Sequence, residues 1–87
     1  MEKYRITFKK SVAKDLRVIP EHDIKKILSK IDALAVNPRG EGCIKLSRQE
    51  SYRARQGLYR IVYEIKDDVL VVNVVKVAHR SQAYQSN

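Results

Sequence analysis

Residues 52–64 read Tyr52-Arg53-Ala54-Arg55-Gln56-Gly57-Leu58-Tyr59-Arg60-Ile61-Val62-Tyr63-Glu64. Apolar and polar residues alternate with a period of two, and the alternation is interrupted once, around Gln56-Gly57. That pattern predicts two short strands joined by a tight turn at Gln56-Gly57, the second strand running from Leu58 to Lys66. Side chains alternate across a strand, so Arg53 and Arg55 project from one face, about 7 Å apart along it. Tyr52, Ala54 and Gln56 face the other way, which packs Tyr52 beneath the sheet. Tyr59 and Tyr63 share the face of Ile61 and Ile65 and are assigned to the core or a groove rather than to catalysis. Arg60 follows the turn closely enough to lie near Arg55 across the hairpin.

Outward from this hairpin the chain keeps a simple order. Asp67-Asp68 predicts a second turn and Val69–Ala78 a third strand, apolar on both faces as expected of a covered, central position. Arg80–Gln85 is expected to form a short C-terminal helix or tail. Upstream, residues 39–50 read as a connecting loop, with Ile44 and Leu46 pinning it to the core. Tyr4, Ile6 and Phe8 alternate with Arg5 and Thr7 as in a half-buried strand. Phe8, Val12, Ala13 and Leu16 then recur at helical spacing until Val18-Ile19-Pro20 breaks the helix. A longer helix follows, with Ile24, Ile27, Leu28, Ile31, Leu34 and Ala35 on one stripe, stopped by Asn37-Pro38-Arg39-Gly40. The order β-α-α-β-β-β predicts an α+β fold: a small antiparallel sheet with a mixed edge and a two-helix hairpin packed on one face. The opposite face is left for ligands.

Composition limits what such a chain can be. Its 87 residues fit a single domain, and 18 Lys and Arg against 10 Asp and Glu give a net charge of +8. No apolar run approaches the ~20 residues of a membrane span, and Met1-Glu2-Lys3-Tyr4-Arg5 lacks a signal-peptide core. The single cysteine, Cys43, excludes an internal disulfide and points to a reducing, cytoplasmic setting. One Cys with two distant histidines, His22 and His79, leaves no structural zinc site, and no metal or cofactor is expected. Cys43 has no neighbour that would activate it, and His22 reads as a surface residue.

The charge changes character along the chain. Residues 44–87 hold five of their eight basic groups as arginine: Arg48, Arg53, Arg55, Arg60 and Arg80. Arginine's planar fork matches pairs of phosphate oxygens, whereas lysine is a mobile point charge. Arg80 follows the third strand, and Tyr84 lies one helical turn beyond it. Three or four guanidiniums and a phenol could therefore gather on one patch. Spacing alone does not separate that patch from solvated strand arginines.

The hairpin 52–64 resembles the signature hairpin of the RelE/ParE superfamily of type II toxin–antitoxin toxins, in which a basic-x-basic strand precedes a Tyr-Arg-apolar-apolar-Tyr strand. The segment Val75-Lys76-Val77-Ala78-His79-Arg80-Ser81-Gln82-Ala83-Tyr84 is similar to the family's closing segment. The opening strand Tyr4–Phe8, the helices around Pro20 and the Asn37-Pro38 exit also match its layout. The resemblance implies an mRNA interferase that cuts the message in the ribosomal A site by transesterification, the ribose 2′-oxygen attacking the adjacent phosphorus. By position it implies Arg53 and Arg55 as the basic pair, Arg60 as the phosphate-stabilising arginine, Arg80 as a second one and Tyr84 as the catalytic tyrosine.

One position departs from the family pattern. Several members carry Lys in the basic pair, and an arginine does not give up its proton. The general base is then Tyr84, its phenol acidified by neighbouring arginines, or His79 as an auxiliary group; alternatively the guanidiniums stabilise charge and the ribosome aligns the substrate. Lys9, Lys10, Lys14, Lys25, Lys26, Lys30, Lys45 and Arg48 are candidate contacts to RNA and ribosome phosphates. The family further implies an acidic, partly disordered RelB-like antitoxin, which would hold this monomeric toxin in a hetero-oligomeric complex, and a ribosome carrying mRNA. Two rivals remain: a ParE-like gyrase inhibitor of the same fold without nuclease chemistry, and a plain RNA-binding module.

Overall fold

The computed structural model describes residues 3–46 and 51–79. Arg48, Arg80, Tyr84 and the helix or tail expected over 80–85 lie outside the described residues. The elements are β1 Arg5–Phe8, α1 Ser11–Arg17, α2 Glu21–Val36, β2 Ile44–Leu46, β3 Ser51–Gln56, β4 Tyr59–Lys66 and β5 Val71–His79. They form one five-stranded sheet in the order β1-β5-β4-β3-β2. All neighbours are antiparallel except β1, which runs parallel to β5. The α+β class and the mixed edge expected from the sequence are both present.

Local chemistry accounts for each boundary. Pro20 occupies the N-cap of α2, where its missing N–H costs nothing, and Glu21 and Asp23 place negative charge on the first turn. Asn37 ends the helix because Pro38 follows it. The turn between β3 and β4 is Gly57-Leu58, one residue later than expected; Gly57 has φ +60° and Leu58 stays out of the left-handed region. A two-residue turn of that kind needs glycine at its first position only. Val69 and Leu70 belong to the turn before β5 rather than to the strand.

Three further expectations are corrected. The stretch read as a connecting loop contains β2, whose Ile44–Leu46 pairs with Ser51–Arg53. Ile44 is half exposed rather than pinned to the core, because its register opposite Arg53 turns it outward. Leu28 falls at the margin of the α2 stripe and remains 40% exposed.

The core lies between the helices and one sheet face, where Val12, Ile27, Ile31, Leu34, Ile61, Tyr63, Val72 and Val74 are fully buried. An extra residue in β5 at Val75 makes a bulge between the pairs Val62–Lys76 and Tyr63–Val74. It keeps Val74 and Val77 inward and Lys76 outward. Where β1 runs out, α1 takes over the edge of β5: the Val77 N–H donates to Asp15 Oδ2 at 3.1 Å.

A polar clamp closes the opposite end of the core. Arg39 donates to both Asp67 carboxylate oxygens at 3.1 and 2.8 Å, and Tyr4 donates to Asp67 at 2.6 Å. Arg39 Nε also donates to the Tyr52 hydroxyl, and its guanidinium lies 5.4 Å from that ring's centre. Tyr52 stacks on Tyr63, whose hydroxyl donates to the Pro38 carbonyl at 2.6 Å. The lead-in to β1, the exit of α2, β3 and the β4–β5 turn are thereby tied together.

Burial raises the Tyr63 phenol well above its ordinary value, so it stays a neutral donor throughout the working range. Tyr63→Phe leaves the Pro38 carbonyl without this donor and is expected to cost about 1–2 kcal/mol in urea unfolding. The hydrogen bond from Arg39 holds Asp67 at about 2, below its usual 3.8. A carboxylate depressed in the folded state contributes stability above its unfolded value and loses it as pH falls through the folded one. The melting temperature of the wild type should therefore exceed that of Asp67→Asn at neutral pH, with the difference closing between pH 4 and pH 2.

Candidate RNA-binding face

The face of the sheet away from the helices collects the arginines of the hairpin. Tyr52 and Ala54 are buried on the helix side, which turns Arg53 and Arg55 outward. Arg55 and Arg60 are direct cross-strand partners, and Arg53 lies opposite Val62. Residues paired in this way point to the same side with Cβ atoms about 5 Å apart. Three guanidinium-bearing side chains thus share one face, two of them directly opposed. Like charges so placed repel, and nothing in strand geometry requires the arrangement.

Arg60 is half-buried, its Nε lying wholly below the surface, and its other cross-strand partner is the small Ala78. Arg53 is half-buried and Arg55 exposed. Further along the same face, Thr7 donates to Asn73 at 2.7 Å and Asn73 donates to Glu64 at 3.4 Å. Beside the arginines, a cleft of about 360 Å³ is lined by Arg53, Arg55, Ile44, Gly42 and Lys30 of α2. It opens where β2 stops, since β2 pairs only with Ser51–Arg53 and leaves the rest of β3 without a strand on that side.

Other candidates from the sequence fall elsewhere. His79 pairs with Tyr59, on the helix side of the sheet, and its ring meets Tyr59 edge-on at 5.4 Å. It is turned away from the face bearing Arg55 and Arg60. Tyr59 in turn donates to Asp23 at 3.4 Å, and burial with that carboxylate raises its phenol. Lys26 borders a small hollow beside the Gly57-Leu58 turn. Lys9, Lys10 and Lys14 are exposed at the end of β1 and on α1, and β1 lies three strand spacings (roughly 14 Å) from β3. Lys25 is exposed on α2, and Lys45 is exposed on β2 opposite Tyr52. Arg48, Arg80 and Tyr84 lie outside the described residues.

Chemically, the described part of the face can bind and stabilise an anion. Its arginines cannot serve as a base. Among the described residues no group of three His, Cys, Asp or Glu could hold a metal ion, and no helix is long and apolar enough to cross a membrane. Sequence reasoning placed Lys30 with the general lysine surface; only the packing of α2 beside the open edge of β3 brings it next to Arg53 and Arg55. It also overlooked the Arg39–Asp67 clamp, whose partners lie 28 positions apart.

Comparisons with known proteins show the family. Residues 6–84 match the family model for the ParE toxin of the type II toxin-antitoxin system parDE. A Methanocaldococcus jannaschii protein given the toxin name RelE1 is 30% identical over 97% of this chain and 98% of its own length. The toxin–antitoxin complex RelBE2 of Mycobacterium tuberculosis contains a chain of similar structure, with TM-score 0.82 and 26% identity over 93% of this chain and 95% of that one. The isolated RelE toxin of E. coli gives TM-score 0.77 at 26% identity, over 94% and 92% of the two chains. By family model, sequence and fold together, the chain belongs to the RelE/ParE superfamily of toxins from type II toxin–antitoxin systems.

Proposed function

We propose that this toxin is a ribosome-dependent endoribonuclease that cuts mRNA in the A site. The observation that carries the reading is the outward set on the hairpin: Arg55 directly opposite Arg60, with Arg53 beside them. Attack of the ribose 2′-oxygen on phosphorus breaks the P–O5′ bond and leaves a 2′,3′-cyclic phosphate and a 5′-hydroxyl. Charge builds on the non-bridging oxygens as the reaction proceeds, and fixed guanidiniums aimed at those oxygens lower the barrier. Arg60 suits this role best, because its half-buried stem holds the fork in place. The 2′-OH proton needs an acceptor and the leaving oxygen a donor. We assign the acceptor to Tyr84, which the resemblance singles out, and not to His79, which sits on the other side of the sheet.

The partner proposed for the toxin is a RelB-like antitoxin, the kind of protein with which the M. tuberculosis relative forms its complex. A toxin of net charge +8 favours an acidic partner segment.

A second reading has a specific observation behind it, since the matching family model is named for ParE. In that reading the protein inhibits DNA gyrase and cuts no RNA. Single-turnover cleavage on programmed ribosomes, with mRNA ends mapped by primer extension, separates the two. Under the nuclease reading the wild type cuts within the A-site codon, and Arg60→Ala slows cutting by about 10²–10³-fold. Tyr84→Phe is expected to be slowed too. No cleavage by the wild type, with gyrase supercoiling inhibited instead, would select the second reading.

A further inference from the structure

The cleft beside β3 contains more than the hairpin arginines. Lys30 comes from the middle of α2, Arg53 and Arg55 from β3, and Ile44 and Gly42 from the chain leading through β2. Its volume of about 360 Å³ is ample for a sugar-phosphate unit. Among the described residues, Lys30, Arg53 and Arg55 have no acidic partner: the ion pairs formed there are Arg39 with Asp67, Lys76 with Asp15 and His22 with Asp23. Three cationic side chains from two layers of the fold therefore line one cleft, with no acid among its described lining residues. Lys30 is half-buried and lines the cleft, so part of its stem is covered by the protein.

The other walls are of a different kind. Ile44 is 50% exposed and offers an apolar surface. Gly42, at φ +87°, has open space where a side chain would begin. Cations on one side, an aliphatic surface on the other and a mouth unobstructed by a side chain suit a ligand with an anionic edge and an apolar flank. An extended polynucleotide strand has that character, with phosphate on one side and a sugar and base on the other.

We infer that this cleft is a second RNA subsite, adjoining the place of bond cleavage and sharing Arg53 and Arg55 with it, that seats the neighbouring nucleotide of the same strand. Lys30 and Arg53 take its phosphate, Ile44 packs against its sugar or base, and Arg55 stands between the two positions. The inference rests on the RNA reading given above. It makes Lys30 a message-binding residue and separates it from the other α2 lysines, Lys25 and Lys26, which do not line the cleft.

The test uses a single-stranded tetraribonucleotide methylated at every 2′-oxygen, which can bind but cannot be cut. Titrated into the labelled toxin, it should shift the backbone amide resonances of Gly42 and Ile44. Lys30→Ala should weaken binding by ~3–10-fold and reduce the slope of log affinity against log salt by about 0.7. Lys30→Arg should retain most of the affinity. Lys66→Ala, which removes the same charge from the exposed end of β4, should leave it within about twofold. The subsite is refuted if the wild type does not bind, if Gly42 and Ile44 do not respond, or if Lys30→Ala and Lys66→Ala weaken binding equally. A shift of the Gly42 and Ile44 resonances by an acidic peptide, with no response to the oligonucleotide, would give the cleft to a protein ligand and refute it as well. Cleavage on ribosomes is scored separately: binding at the cleft without cleavage sinks the nuclease reading alone, and cleavage with unaltered binding by Lys30→Ala sinks the subsite alone.

Discussion

The face a residue occupies in the β3–β4 hairpin is decided by one backbone angle. Gly57 turns the chain with a positive φ, and the register Gln56–Tyr59, Arg55–Arg60, Ala54–Ile61 follows from it. A slip of one position would exchange the two faces. Arg53 and Arg55 would then press into the space of Tyr52 and Ala54, and the cost of burying unpaired guanidiniums makes that state inaccessible. The hydrophobic pattern and the glycine thus enforce the same register from opposite ends.

The two faces of the sheet carry opposite energetic signs. On the helix side, Ala54, Ile61, Tyr63, Val72 and Val74 are packed without exposure, and Tyr63 has its hydroxyl satisfied. On the other side, Arg55 stands opposite Arg60, and the described lining of the cleft holds three cations and no acid. The first face holds the packed core, and the second gathers like charges. The clamp of Arg39 and Asp67 belongs to the stabilising side, closing the core at the end away from the Gly57 turn.

Much of this was legible in the sequence because alternation is a strong signal. The positions of Tyr52, Ala54, Ile61 and Tyr63 inside, and of Arg53 and Arg55 outside, follow from period two alone. β2 was not legible: three residues are too few to display a period, and its Ile44 looks outward, against the rule that apolar residues turn in. Leu28 belonged to the helical stripe by spacing yet fell at its margin, since a helix lying on a twisted sheet buries a narrower band than its apolar residues span. The place of Lys30 and the side taken by His79 depend on how α2 crosses the sheet and on the bulge in β5, neither of which a linear pattern encodes. For Arg80 and Tyr84 the resemblance supplied roles that periodicity could not.

The bulge at Val75 shifts the phase of its strand. A regular ladder through the same residues would send Lys76 inward and His79 toward the arginines. The additional residue absorbs that half-step, so the inner row continues from Val74 to Val77. Straightening the strand by removing it would leave every later side chain on its present side and change only the heading with which the backbone leaves the sheet. Inside-outside identity and strand direction are therefore independently adjustable in β5.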